Sequence, residues 1–185
     1  DGADRYKLEI KNEGYLLDGK IRSFEKKTRL LRINNMDGSY REVTHEYYYS
    51  VHGPVIGRKD DKGFALRLVG LENHGIFGQY HKMASAANLS EFEEALKMLQ
   101  NPMFNILYAD RSGNIMYLFN GNIPRRSEGD FTFWKGTIDG TRSSLIWQDY
   151  HAYQELPKVL NPATGFLQNC NDPPCAILLR HSYSL

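Results

Sequence analysis

The sequence predicts an α+β fold dominated by antiparallel strands, and three observations carry that expectation. Residues 103–126, MFNILYADRSGNIMYLFNGNIPRR, hold two apolar runs, Ile106–Ala109 and Ile115–Phe119, around a polar Asp110-Arg-Ser-Gly113 step. Gly113 can take the positive φ that a tight hairpin turn demands. The chain also carries 12 tyrosines and 9 phenylalanines among β-branched runs, a mixture that suits half-buried pleated surfaces. Against these stands one clear helical window, Ser90–Gln100, in which Phe92, Leu96 and Leu99 share a face at helical spacing.

Taken in order, Tyr6–Ile10 alternates as a strand, and Gly14-Tyr-Leu-Leu-Asp-Gly19 offers a turn at either end. Arg29–Ile33 and Tyr40–Tyr49 form an antiparallel pair, joined through the Asp-Gly step of Asn35-Met-Asp-Gly38. Val51–Ile56 carries the strand on. Phe64–Val69 adds another, entered from the charged turn 58–63. A short helical turn is expected at Tyr80–Ala87, before the main helix. Ser90 caps that main helix, Glu93 completes a capping box, and Asn101-Pro102 ends it. After the hairpin, Pro124 stops the ladder because it has no N–H to donate. Short strands follow at Phe131–Trp134, Leu145–Trp147 and Phe166–Asn169. No internal repeat and no low-complexity linker divides the chain.

At 185 residues the chain is long enough for one domain with its own core. With 23 basic against 22 acidic residues the charge is balanced, so no nucleic-acid partner is expected. No apolar run approaches the ~18 residues that cross a bilayer, so no membrane span is expected. The polar opening Asp1-Gly-Ala-Asp is not a secretory leader, which carries no weight if the chain is a piece of a longer precursor. Cys170 and Cys175 read as free thiols, because Pro173 and Pro174 stiffen the short loop between them. No CxxC pair or histidine cluster has zinc spacing.

The hairpin keeps informative company. Ser50-Val-His-Gly-Pro-Val-Ile56 precedes it, a Trp134-Lys-Gly136 step follows, and Asn161-Pro-Ala-Thr-Gly-Phe-Leu-Gln-Asn-Cys-Asn-Asp-Pro-Pro174 comes last. Four blocks in that order resemble the penicillin acylase family, the N-terminal-nucleophile amide hydrolases that include acyl-homoserine-lactone acylases. The resemblance covers residues 1–174, as an internal piece of the family's large catalytic chain. Residues 175–185 depart from the family pattern and read as a divergent or truncated tail. The resemblance implies the antiparallel, sheet-rich part of an αββα sandwich and a periplasmic or secreted protein. It also implies hydrolysis of the amide bond of an N-acylated small molecule, such as an acyl-homoserine lactone or a penicillin. The reaction would run through an acyl-enzyme on an N-terminal serine, with the serine's own α-amine as base. This stretch holds no such serine, so it is expected to be inert alone. The small chain and the upstream nucleophile segment of the precursor are its implied partners.

On spacing alone, Asn171 and Asp172 read as caps of a turn before Pro173, or as neighbours of a strand that puts 169 and 171 on one face. By resemblance Asn171 is the catalytic residue, its side-chain N–H donating to the oxyanion of the tetrahedral intermediate. Asn169 is then a neighbouring structural amide. Phe104 falls where the family places an apolar residue of the acyl pocket, and Tyr80 is a candidate for the opposite wall. Both also read as ordinary core aromatics. The resemblance further assigns a structural calcium to the carboxylates of Asp1 and Asp4 and the carbonyls of Ala3 and Pro124. Those residues alone do not reach the 6–8 oxygens calcium takes.

His52 sits in a motif, but no serine or cysteine stands in a nucleophile-elbow context beside it, and it reads as a structural histidine at a strand end. Arg125-Arg126 reads as a solvated or salt-bridged pair. Two other classes stay open: YADRSGNIMYL also looks like a strand pair of a β-propeller, which would make a non-catalytic ligand-binding or scaffold module, and a degenerate homologue would bind amides without cleaving them. A propeller repeats every ~40–50 residues, and the pattern occurs once.

Overall fold

In the computed structural model, residues 2–71 and 74–171 are described below. Seven strands come first: β1 (Ala3–Lys11), β2 (Gly14–Leu17), β3 (Lys20–Ser23), β4 (Glu25–Asn34), β5 (Tyr40–Ser50), β6 (Gly53–Lys59) and β7 (Lys62–Leu68). Helices α1 (Ile76–Ser85) and α2 (Leu89–Leu96) lead into strands β8 (Met103–Ala109) and β9 (Ile115–Gly121). Helix α3 (Phe131–Lys135) and strands β10 (Thr137–Asp139) and β11 (Lys158–Leu160) complete the order. The fold is α+β and rich in antiparallel strands. It divides into two units, one built from residues 3–68 and 126–147, the other mainly from 69–125 and 148–171.

The first unit is a single sheet of order β3-β2-β1-β7-β6-β5-β4, with β10 laid parallel against β1. In β1, Asp4, Tyr6 and Leu8 turn inward and their odd-numbered neighbours Ala3, Arg5 and Lys7 face water, the period-2 pattern of a half-buried strand. Tyr6 donates its buried hydroxyl to the Leu145 carbonyl at 2.8 Å, which satisfies the one polar atom this aromatic takes into the core. The sheet is not a stack of four-stranded blades, so the propeller alternative does not hold. Gly53, of the His-Gly-Pro block, is required by contact: at φ +126° its Cβ position lies 2.3 Å from the Leu66 carbonyl oxygen.

The second unit pairs β11-β9-β8 and covers one face with helices. Its core is Leu96, Met116, Leu118, Tyr153 and Leu156, with Phe92, Ile106 and Tyr108 against it. The β8–β9 hairpin has the expected turn, closed by Gly113 N–H to Asp110 carbonyl at 3.2 Å with Gly113 at φ +87°. Under the helices lies a buried amide cluster. Asn120 Oδ1 accepts from Gln79 Nε2 at 3.0 Å and from Asn101 Nδ2 at 3.2 Å, and Asn120 Nδ2 donates to the Leu96 carbonyl.

Four local expectations are corrected. Helix α2 starts one residue earlier and is capped by Asn88, not Ser90, because Asn88 Oδ1 takes the Glu91 N–H while the Glu91 carboxylate takes the Ala87 N–H. It ends at Leu96, well before Asn101-Pro102. Leu99 turns left-handed, and Gln79 Oε1 then takes the N–H groups of Gln100 and Asn101. Residues 131–135 form a helix where a strand was expected, since Asp130 caps the Phe133 N–H and Trp134 Nε1 is bound by the Glu128 carbonyl. Residues 143–145 form a 3-10 turn, and 166–169 run as loop rather than strand.

Candidate functional site

The segment that carries Asn171 is a loop strapped to the second unit's sheet. Asn161, just past β11, donates its backbone N–H to the Ile115 carbonyl at 2.9 Å and takes the Ile115 N–H on its side-chain Oδ1 at 2.8 Å. The chain reverses at Pro162–Gly165, with Gly165 N–H on the Pro162 carbonyl. It is then caught again at Asn169, whose Oδ1 accepts from Asn105 Nδ2 at 3.3 Å. Asn105 Oδ1 in turn accepts from the Tyr117 hydroxyl at 2.7 Å. Asn171 N–H closes on Asn169 Oδ1 at 2.9 Å, an Asx turn. Asn171 therefore leaves the loop in left-handed backbone, φ +59°, with its residue exposed. Asparagine is among the few L-residues that adopt this region readily.

That geometry replaces the strand argument for Asn171. Alternation does not put 169 and 171 on one face, because neither lies in a strand. Asn169 is instead the acceptor that holds the turn, and Asn171 is the residue the turn presents. Asp172 lies outside the described residues. Sequence reasoning missed Asn105 and Tyr117. The available signal was a lone amide inside the apolar run Met103–Ala109, which asks for a partner on the neighbouring strand.

Phe104 and Tyr80 are both exposed, at 43% and 44% respectively. Register places Phe104 opposite Asn120 on the helix-covered face of the hairpin, with Ile106 and Tyr108. Tyr80 follows Gln79 on α1, and Gln79 donates to that same Asn120. Phe104 and Gln79, the neighbour of Tyr80 in sequence, thus both meet Asn120 of the buried amide cluster. Asn105, one residue on, faces the other side of the sheet, so Phe104 and the Asn171 strap attach to opposite faces.

Of the proposed calcium ligands, Asp1 lies outside the described residues, and Ala3 and Pro124 belong to different units. Asp4 is buried in the first unit at 1% exposure. Its Oδ2 takes the Trp147 indole N–H at 2.7 Å and Arg126 Nε at 3.2 Å, and its Oδ1 takes Arg126 Nη2 at 3.0 Å. A bidentate guanidinium already neutralises this carboxylate. No three His, Cys, Asp or Glu side chains gather into a metal site among the described residues. On their own, then, these residues do not make a calcium shell.

The basic pair Arg125-Arg126 is salt-bridged on both members, Arg125 to Glu155 and Arg126 to Asp4. His52 is fully buried, packed against Tyr6 with tilted rings whose centroids are 4.7 Å apart, and Ser50 Oγ lies 3.3 Å from its Nδ1. Burial, helped by the Arg67 cation, pushes its pKa down to about 4, so it is a neutral, structural imidazole. Cys170 is an exposed free thiol.

The chain belongs to the penicillin amidase family, whose sequence profile matches residues 1–184. Among its relatives, the acyl-homoserine lactone acylase PvdQ of Pseudomonas fluorescens (strain Pf0-1) is 27% identical over 181 residues, covering 85% of this chain and 23% of its own. The PvdQ acylase of Pseudomonas savastanoi pv. phaseolicola is 31% identical over the same shares. Penicillin G acylase of Escherichia coli is 26% identical over 91% of this chain and 19% of its own. The fold matches a thermostable penicillin G acylase from Alcaligenes faecalis with TM-score 0.80 and 24% identity, over 94% of this chain and 31% of that one. The chain thus spans about a fifth of the length of the curated relatives it matches.

Proposed function

We propose that this chain is part of an acylase that hydrolyses the amide bond of an N-acylated small molecule, an acyl-homoserine lactone or a penicillin-type amide. The family membership over residues 1–184 carries the reading. The names of the relatives give the two substrate classes. In the proposed reaction a serine hydroxyl, supplied by polypeptide outside these residues, attacks the amide carbonyl while the serine's α-amine takes the proton. The carbonyl oxygen becomes an oxyanion, to which Asn171 donates its side-chain N–H together with a backbone donor from the nucleophile segment. The C–N bond breaks, the amine leaves with the proton, and water hydrolyses the acyl-serine ester. A donor fixed in place before charge develops needs no reorganisation, and loss of one costs about 10²–10³ in turnover.

Phe104 and Tyr80 are proposed to line the acyl pocket, where each buried methylene of the acyl tail contributes ~0.8 kcal/mol. A structural calcium is proposed for the assembled protein only. Asp1, the Ala3 and Pro124 carbonyls and further chain would have to complete the shell, and Asp4 would have to exchange Arg126 for the ion. Elemental analysis of the purified protein decides this, and a metal-free active enzyme overturns it. The protein is also proposed to be periplasmic or secreted, which cell fractionation tests. No helix among the described residues is long and apolar enough to cross a membrane.

The deciding experiment assays the complete gene product for amine release from long-chain acyl-homoserine lactones and phenylacetyl amides. Hydrolysis of either class, lost in Asn171→Ala, is expected. No hydrolysis of both overturns the reading. Residues 1–185 alone are expected to release no amine.

A further inference from the structure

Resting on the proposed role of Asn171, we infer that Asn105 is a positioning residue for the oxyanion donor, oriented in turn by the buried Tyr117 hydroxyl. The two residues share a face of the β8–β9 hairpin. Asn105 lies opposite Phe119 and Leu107 lies opposite Tyr117, so Asn105 and Tyr117 are diagonal neighbours within side-chain reach. Tyr117 is 0% exposed and sends its hydroxyl to Asn105 Oδ1 at 2.7 Å. Asn105 Nδ2 reaches Asn169 Oδ1 at 3.3 Å, and the same oxygen receives the Asn171 N–H at 2.9 Å.

Polarity along this line is decided by its one unambiguous donor. The Asn171 backbone N–H can only donate, so Asn169 presents its oxygen. The atom of Asn105 that faces this oxygen must then be the NH2 group, which leaves its oxygen facing Tyr117. The phenol therefore donates, and each amide in the line has a single orientation that satisfies its neighbours. A carboxamide on an apolar strand that lost this arrangement would leave a polar group unpaired.

The consequence reaches Asn171 through its backbone. An Asx turn holds residue 171 in left-handed conformation only while the side chain of 169 stays in register. Asn105 is the sheet's hold on that side chain. Asn161, the strap's other anchor, is fixed at Ile115, which pairs with Ala109, four residues from Asn105 along β8. The loop is thus pinned at two points about 13 Å apart at strand rise, and Asn171 lies just beyond the second. Asn105 touches neither substrate nor the reacting atoms. It sets the direction in which the residue beyond it donates, and small misplacements of such a group are costly to turnover.

The test is a double-mutant cycle in the complete acylase, with kcat and KM measured on the substrate class it hydrolyses and the fold checked by circular dichroism. Asn105→Asp keeps size and the Tyr117 bond but replaces the donor to Asn169 with an acceptor. It is expected to lower kcat about 10–100-fold, with KM changed less than about twofold. Tyr117→Phe is expected to lower kcat less, in the same direction. In an Asn171→Ala background Asn105→Asp is expected to cost almost nothing more, because the group it positions is gone. Undiminished kcat in Asn171→Ala overturns the reading of Asn171 itself. A large loss in Asn171→Ala with full kcat in Asn105→Asp, or the same fold loss in both backgrounds, overturns the positioning role alone. Should Asn105→Asp fail to fold, the cycle run with Tyr117→Phe decides between the same outcomes.

Discussion

Two hairpins of this chain make a controlled comparison. Strands β4 and β5 pair in unbroken register from Glu25↔Tyr49 to Asn34↔Tyr40 around an Asp37-Gly38 turn. Strands β8 and β9 pair from Met103↔Gly121 to Ala109↔Ile115 around a turn at Gly113. Turn chemistry and strand pattern serve both equally well. Their surroundings differ entirely. Every residue of β4 is exposed, and β5 meets β6 only at Tyr49 and Ser50. In β9, Met116, Tyr117 and Leu118 are fully buried, Met116 and Leu118 in the core that includes Leu96 of α2. Local sequence makes a hairpin. What covers it decides how much stability, and what function, it can hold.

The strongest attack on that contrast is Leu118→Ala. It opens a cavity beneath α2 and is expected to cost about 2–5 kcal/mol by denaturant midpoint, lowering both midpoint and activity. A value near that for an exposed site would mean β9 is not the core strand it is here.

Acid titration probes the root of the exposed ribbon, where His52 sits in the turn after β5. Its folded pKa is pushed down to about 4, below an unfolded value near 6.5, by burial first and then by Arg67. Above the unfolded value both states hold it neutral and its contribution is complete. As pH falls from about 6.5 to 4, the unfolded state takes up a proton that the folded state refuses, so stability is lost, by up to about 3 kcal/mol. His52→Gln should flatten that part of the curve. An unchanged slope would remove His52 as its source.

Two smaller effects sharpen the comparison. Asn88→Ala strips the cap of α2, the helix that covers β8–β9, and should cost about 1 kcal/mol, whereas Ser90→Ala should cost much less. Leu30→Ala, on the exposed ribbon, should fall within about 0.5 kcal/mol of the parent in the same melt. A larger loss there would reveal that the ribbon is covered in the assembled protein.

Much of this was legible in advance. The β8–β9 hairpin, the β4–β5 pair and the alternation of β1 follow from spacing and turn residues. For helix α2, Ser90-Glu93 and Asn88-Glu91 are both valid capping signals, and only the folded contacts, Glu91 N–H on Asn88 Oδ1 and Ala87 N–H on the Glu91 carboxylate, distinguish them. Phe131–Trp134 misled because aromatic residues favour strands on average, while Asp130 beside them caps a helix. At the site, Asn171 was singled out by motif, but its presentation depends on partners distant in sequence. Asn105 and Asn169 are sixty-four positions apart, and no local pattern announces that pair.

By itself the sequence determined family, strand-rich class and the order of the hairpins, because these depend on neighbours within a turn or on period-2 burial. Tertiary structure alone decided that Asn171 rides an Asx turn strapped to Asn105, and that Asp4 faces Arg126 and Trp147. Each of those outcomes is a hydrogen bond between residues brought together only by folding. Its free energy depends on how thoroughly water is kept out of the place where they meet.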